Sequence, residues 1–77
     1  MAKRPDRIFY KENAEKLEKA WQLINEVSDS LYNMGELIEG SSNSRQLFED
    51  SDKLDEILTA INKGPLKNLK KRLDRFN

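Results

Sequence analysis

A seven-residue apolar repeat fills the first half of this 77-residue chain and restricts the folds open to it. One row of the repeat starts at Tyr10, and a second row lies three residues further along. The first row is Tyr10, Leu17, Ile24, Leu31 and Ile38, and the second is Ala20, Val27 and Met34, with Asn13 as its polar member. Such a repeat indicates a long amphipathic helix. We expect it over residues 9–39, about 45 Å at 1.5 Å per residue, so it needs a partner of similar length.

Two further helices are predicted in the second half of the chain. The loop at residues 40–44 contains a glycine suited to a left-handed C-terminal cap, and serines and an asparagine at residues 42–44 suited to an N-cap. A second helix is expected over residues 45–63. Gly64 followed by Pro65 predicts a helix stop and a helix start, with a third helix over residues 65–76.

These elements predict a single all-α domain over residues 1–77, with a flexible basic N-terminus at residues 1–8. The layout is either a helical hairpin whose second arm is broken at Gly64-Pro65 or a small three-helix bundle. Gly35 lies inside the first helix, where glycine costs about 1 kcal/mol relative to alanine. We expect the first helix to fray from this glycine, unless a neighbouring backbone comes close to it.

The composition excludes several kinds of chemistry. The chain has no Cys and no His, which removes disulfides, thiolate nucleophiles, the usual zinc ligands and the commonest general base. A calcium-binding loop of the EF-hand type needs an oxygen ligand at position 5, Gly at position 6 and Glu at position 12. Counted from Asp50, those positions hold Leu54, Asp55 and Ile61. We therefore expect no catalytic residue, no metal and no cofactor.

The charges are balanced overall but segregated along the chain. Residues 1–11 carry a net charge of +3, residues 12–56 carry −8 and residues 57–77 carry +5. This asymmetry indicates either charge complementarity between segments that pack together or a bipolar binding surface. One alternative function is nucleic-acid binding through the basic N-terminus and the third helix. The candidate phosphate contacts are Lys67, Lys70, Lys71, Arg72 and Arg75, with Lys3, Arg4 and Arg7.

The leading functional hypothesis is a non-enzymatic, regulatory or protein-binding module that self-associates as a homodimer. Its apolar surface is wider than a two-stranded seam requires, which leaves side chains for a second partner. The candidate partner-binding residues are Trp21, Leu23, Leu37 and Phe48. No segment approaches the roughly 18 to 20 apolar residues of a membrane span, and the expected location is cytoplasmic.

A short stretch of the second helix also resembles a known motif. Ser51, Leu54 and Asp55, with the apolar residues that follow at Ile57 and Leu58, look like part of the Ser-Gln-Glu-Leu-Asp motif of the small sporulation-type aspartyl-phosphate phosphatases. The resemblance covers residues 24–61.

Members of that family are helical hairpins that act on response regulators, and the resemblance implies that Asp55 is the matching acidic residue. The match is incomplete, because Asp52 and Lys53 stand where the motif has Gln and Glu. The arginine expected on the first helix is absent as well.

Overall fold

The structure is a computed structural model that describes residues 5–76. It contains three helices, α1 (Arg7–Leu37), α2 (Ser42–Lys63) and α3 (Pro65–Asp74), and no strand within the described range. α2 returns antiparallel to α1, and α3 continues the returning arm after a bend at Gly64. The prediction of an all-α helical hairpin with a broken second arm is confirmed.

Both long helices begin earlier than the apolar pattern predicted, because each has a polar cap upstream. The Oδ1 atom of Asp6 accepts a hydrogen bond from the backbone N–H of Phe9 at 2.9 Å, so α1 begins at Arg7. Residues 1–4 of the predicted flexible segment lie outside the described range. Ser41 is the N-cap of α2, its Oγ accepting from the N–H of Ser44. The cap therefore precedes the three residues predicted for it, and α2 starts three residues before the expected boundary.

The two glycine-containing connections differ in backbone geometry. Gly40 has a φ of +91°, which suits the predicted left-handed turn between α1 and α2. Gly64 has a φ of −113° and joins α2 to α3 without a left-handed residue. Pro65 occupies the first turn of α3, where its missing N–H would have no helical partner. α1 ends at Leu37 and α3 at Asp74, each two residues before the predicted boundary.

The predicted heptad stripe divides between two sides of α1. Its first row is half-buried against the returning arm. The apolar members of its second row are exposed, and both Val27 and Met34 keep half of their surface accessible. The positions of α1 that face the returning arm instead lie four residues after the members of the first row. They are the buried Ala14, Ser28 and Gly35, with the half-buried Trp21 among them.

α2 presents its own seven-residue row to α1. The buried residues of α2 are Ser44, Ser51 and Leu58. At the centre of the hairpin, Ser51 Oγ donates to the backbone carbonyl of Ser28 at 3.0 Å, and the two hydroxyl oxygens lie 2.9 Å apart. Because a serine side chain is short, these contacts require the two backbones to lie close together. Small residues on both helices make this close approach possible.

Gly35 does not end α1, contrary to the expected fraying. It is buried, the helix continues to Leu37, and the ring of Phe48 packs directly over it. A Cβ atom at this position would lie 2.8 Å from Phe48 Cε1. The Phe48 ring also contacts the ring of Tyr32, with ring centroids 5.3 Å apart. Gly35 therefore provides space for an aromatic ring from α2.

α3 is fixed to the start of α1 by one apolar face. Leu66 is buried, and Leu69 and Leu73 are half-buried. Beyond the end of α3, the centroids of the Phe76 and Tyr10 rings lie 5.8 Å apart. The predicted amphipathic third helix is therefore an ordered part of the hairpin, and its basic residues face outward.

We expect Gly35→Ala to lower the free energy of unfolding by about 1 kcal/mol, although alanine is the better helix former. The added methyl group would overlap the Phe48 ring, and overpacking of this kind costs about 1–3 kcal/mol, more than the gain in helix propensity of about 1 kcal/mol. Urea unfolding followed by circular dichroism measures the change. The control is Asn33→Ala on the exposed side of α1, which we expect to be neutral or stabilising. A more stable Gly35→Ala protein would contradict the packing described.

Candidate protein-binding surface

One side of the hairpin exposes several large apolar side chains. We call the following residues the apolar face: Leu23, Val27, Met34 and Leu37 of α1 and Ile57 of α2. Leu37 is 79% exposed and Leu23 is 62% exposed, and the other three are each about half exposed. Their spacing on α1, by four, seven and three residues, keeps them on one side of the helix. Large apolar side chains clustered in this way are typical of an interaction surface.

A shallow groove of about 200 Å³ lies within the apolar face, between α1 and α2. It is lined by Leu23, Ile24, Val27 and Leu54, and almost all of its lining is apolar. Ile24 and Leu54 belong to the half-buried rows of the hairpin. The groove therefore provides a place where the side chains of a partner helix can contact the edge of the hairpin core.

The four predicted partner-binding residues separate into two pairs. Leu23 and Leu37 belong to the apolar face. Trp21 instead packs within the hairpin, where its indole Nε1 donates to the backbone carbonyl of Leu58 at 2.9 Å, and Phe48 covers Gly35. Both aromatic side chains are half-buried. The structure thus places these two within the fold.

Three residues of the apolar face were not among the predicted partner-binding set. Val27 and Met34 are members of the second row of the heptad repeat, and Ile57 enters the sequence interpretation only through the phosphatase-like motif. The sequence contains a pattern that indicates this face, since Leu23 precedes Val27 by four residues and Leu37 follows Met34 by three. Together they form an apolar strip that extends beyond the first row.

The basic side chains of α3, together with that of its C-cap residue Arg75, form a second exposed surface. Lys67, Lys70, Lys71, Arg72 and Arg75 are all exposed, as the sequence predicted. Lys70 Nζ lies 3.5 Å from Glu18 Oε1, and this is the single ion pair within residues 5–76. The first interpretation of the charge segregation was complementarity between segments that pack together. It accounts for this one ion pair, and most of the segregated charge faces solvent.

The residues of the phosphatase-like motif lie beside the centre of the hairpin. Ser28 Oγ donates to Asp55 Oδ1 at 2.8 Å, while Ser51 is buried with its hydroxyl hydrogen-bonded across to α1. A serine held in this way fixes the register of the two helices. Asp55 remains exposed.

Comparisons with models of protein families, with curated protein sequences and with solved structures found no match to this chain. The resemblance to the sporulation-type phosphatases therefore stays a prediction. No helix within residues 5–76 is both long and apolar enough to cross a membrane.

We expect Ser28→Val to destabilise the hairpin more than Ser28→Ala does. The alanine variant loses hydrogen bonds worth about 1 kcal/mol. The valine variant also forces two methyl groups into the closest part of the interface, where Ser28 is 1% exposed, and overpacking adds about 1–3 kcal/mol.

The control is Ser30→Val on the exposed side of α1, which carries only the small difference in helix propensity. Urea unfolding compares the three variants. A Ser28→Val variant as stable as the parent chain would contradict the close approach of α1 and α2 at Ser28.

Proposed function

We propose that this chain is a non-enzymatic helical interaction module that acts by presenting its apolar face to another helical protein surface, including that of a second copy. The observation that carries the proposal is the exposure of the apolar face along some four turns of α1. Side chains of this size and continuity gain free energy when a partner covers them, about 25 cal/mol for each Å² of apolar surface removed from water. A regulatory role would follow from reversible occupation of this face.

The small interior of the hairpin supports the same proposal. Within the described residues, the buried apolar side chains are Ala14, Leu58 and Leu66. A single core in a chain of this size rarely stabilises the fold strongly, and association with a partner is a common remedy. Two hairpins packed through their apolar faces would form a four-helix bundle in which the half-buried rows become a central core.

The accessible surface also exceeds that of a compact monomer. The chain exposes 6338 Å², whereas a compact globular protein of 9.0 kDa exposes about 4900 Å². A standard protein–protein interface buries about 800 Å² on each partner. The hairpin therefore has enough surplus surface to bury a standard interface, and the apolar face is the region best suited to it.

We expect Val27→Lys to abolish self-association while leaving the hairpin folded. A lysine in the groove would place a charge where partner side chains pack, and Val27 is already half exposed, so the fold itself loses little. Sedimentation velocity at about 50 µM should give twice the 9.0 kDa chain mass for the parent and one chain mass for the variant.

The matched control is Gln22→Lys, which adds the same charge to α1 at an exposed position away from the groove. It should remain a dimer. A parent protein that sediments as one chain would refute self-association, and circular dichroism of each variant verifies that the helices are intact.

A second candidate function, nucleic-acid binding, is favoured by the exposure of the four basic side chains of α3 and of Arg75, which caps its C-terminus. Lys71, Arg72 and Arg75 line a polar depression together with Asn68. This proposal predicts that the protein binds a fluorescent duplex at low salt, with affinity falling steeply as salt rises.

Lys71→Glu with Arg75→Glu should abolish that binding. Lys16→Glu with Lys19→Glu makes the same change in net charge on exposed residues of α1 and serves as the control. Fluorescence anisotropy measures both. If both double variants lost duplex binding equally, the binding would depend on net charge and not on a site on α3.

A further inference from the structure

The hairpin converts the segregation of charge along the sequence into a separation of charge along the molecule. The end that contains the α1–α2 turn, residues 26–56, has a net charge of −7. The opposite end, residues 5–19 with residues 63–76, has a net charge of +5. Residues 20–25 and 57–62 lie between them and carry no charge. The body is 57 Å long, so the two ends are separated by several Debye lengths at physiological salt.

We infer that a second copy of the chain occupies the apolar face in antiparallel orientation, with the acidic turn of each hairpin beside the basic α3 end of its partner. This inference rests on the proposed self-association and specifies its geometry. In a two-fold dimer the same patch contacts itself, and the groove between Leu23 and Leu54 lies near the middle of the rod. A two-fold axis that crosses the rods at the groove therefore brings opposite ends together.

The parallel arrangement has the opposite electrostatic consequence. It would place the two acidic turns side by side and the two basic ends side by side. Like charges at this spacing repel, and complementary potentials usually decide orientation more than they decide total affinity. The internal pairing that could neutralise the basic end is limited to Lys70 with Glu18 within residues 5–76. The remaining charges are available to a partner.

The test of orientation uses spin labels, because the chain contains no cysteine and a single one can be introduced. Glu12→Cys places a label on the exposed side of α1 near the basic end. With the two-fold axis near the groove, the two labels of an antiparallel dimer lie about 40 Å or more apart at 1.5 Å per residue. In a parallel dimer they lie side by side, closer than roughly 25 Å, because the axes of packed helices are about 8–10 Å apart. Pulsed dipolar spectroscopy distinguishes the two distances.

A mixed sample supplies the matched control. Protein labelled at Glu12→Cys is combined with protein labelled at Ser42→Cys, an exposed position beside the α1–α2 turn. A short distance between the two different positions is expected in the antiparallel dimer only. A short distance between two Glu12→Cys labels, with dimer mass retained, would overturn the antiparallel geometry and leave the proposed function intact. A single-chain mass would refute self-association itself, and the inference with it.

Salt and charge reversal provide an independent readout. Raising sodium chloride should weaken an antiparallel dimer and strengthen a parallel one. Lys71→Glu with Arg75→Glu should raise the dimer dissociation constant about tenfold. At each end of the dimer, the two substitutions turn two weak attractions to the partner's acidic turn into repulsions. Adding Glu39→Lys and Glu49→Lys at the acidic end should restore much of the affinity. An unchanged dissociation constant in the first variant, together with insensitivity to salt, would contradict the charge-directed orientation.

Discussion

The close approach of α1 and α2 at Ser28 and Ser51 is the constraint on which the rest of this structure depends. Each hydroxyl lies within hydrogen-bonding distance of the backbone carbonyl of the opposite helix, at 3.2 and 3.0 Å. Where two backbones come this close, the space between them holds only small side chains. Large apolar residues are therefore displaced to the flanks of the interface, where a two-helix body covers them only in part. The exposed apolar face follows directly from the small-residue seam.

The sequence predicted the number, order and type of the helices because these depend on local signals. Heptad spacing indicated a long first helix, and Gly64-Pro65 marked the break before α3. The predicted starts of α1 and α2 lie downstream of the observed ones because the caps at Asp6 and Ser41 precede the first periodic residues. Apolar periodicity says nothing about such polar residues, and they are recognised only when capping is considered at every position upstream.

The inward side of α1 could not be predicted from hydrophobicity. On the surface of α1, the first row of the heptad repeat lies between two other rows. The more apolar of these two, which contains Val27 and Met34, faces outward. The inward row contains Ser28 and Gly35, whose advantage is small size, a property that becomes decisive only when a second helix packs closely. For the same reason the sequence predicts Trp21 and Phe48 on a binding surface. Their partners, a carbonyl on α2 and a glycine on α1, lie 37 and 13 residues away along the chain.

The hydrogen bond from Trp21 to the Leu58 carbonyl gives this protein a built-in optical probe. Trp21 is the only tryptophan in the chain, and it is held between α1 and α2 at 2.9 Å from its acceptor. It precedes Leu23 by two residues, which places the two side chains on nearly opposite sides of the helix. Its fluorescence therefore reports separation of the two helices and is insulated from events at the apolar face. Opening of the hairpin can therefore be followed in the unmodified molecule without interference from occupation of that face.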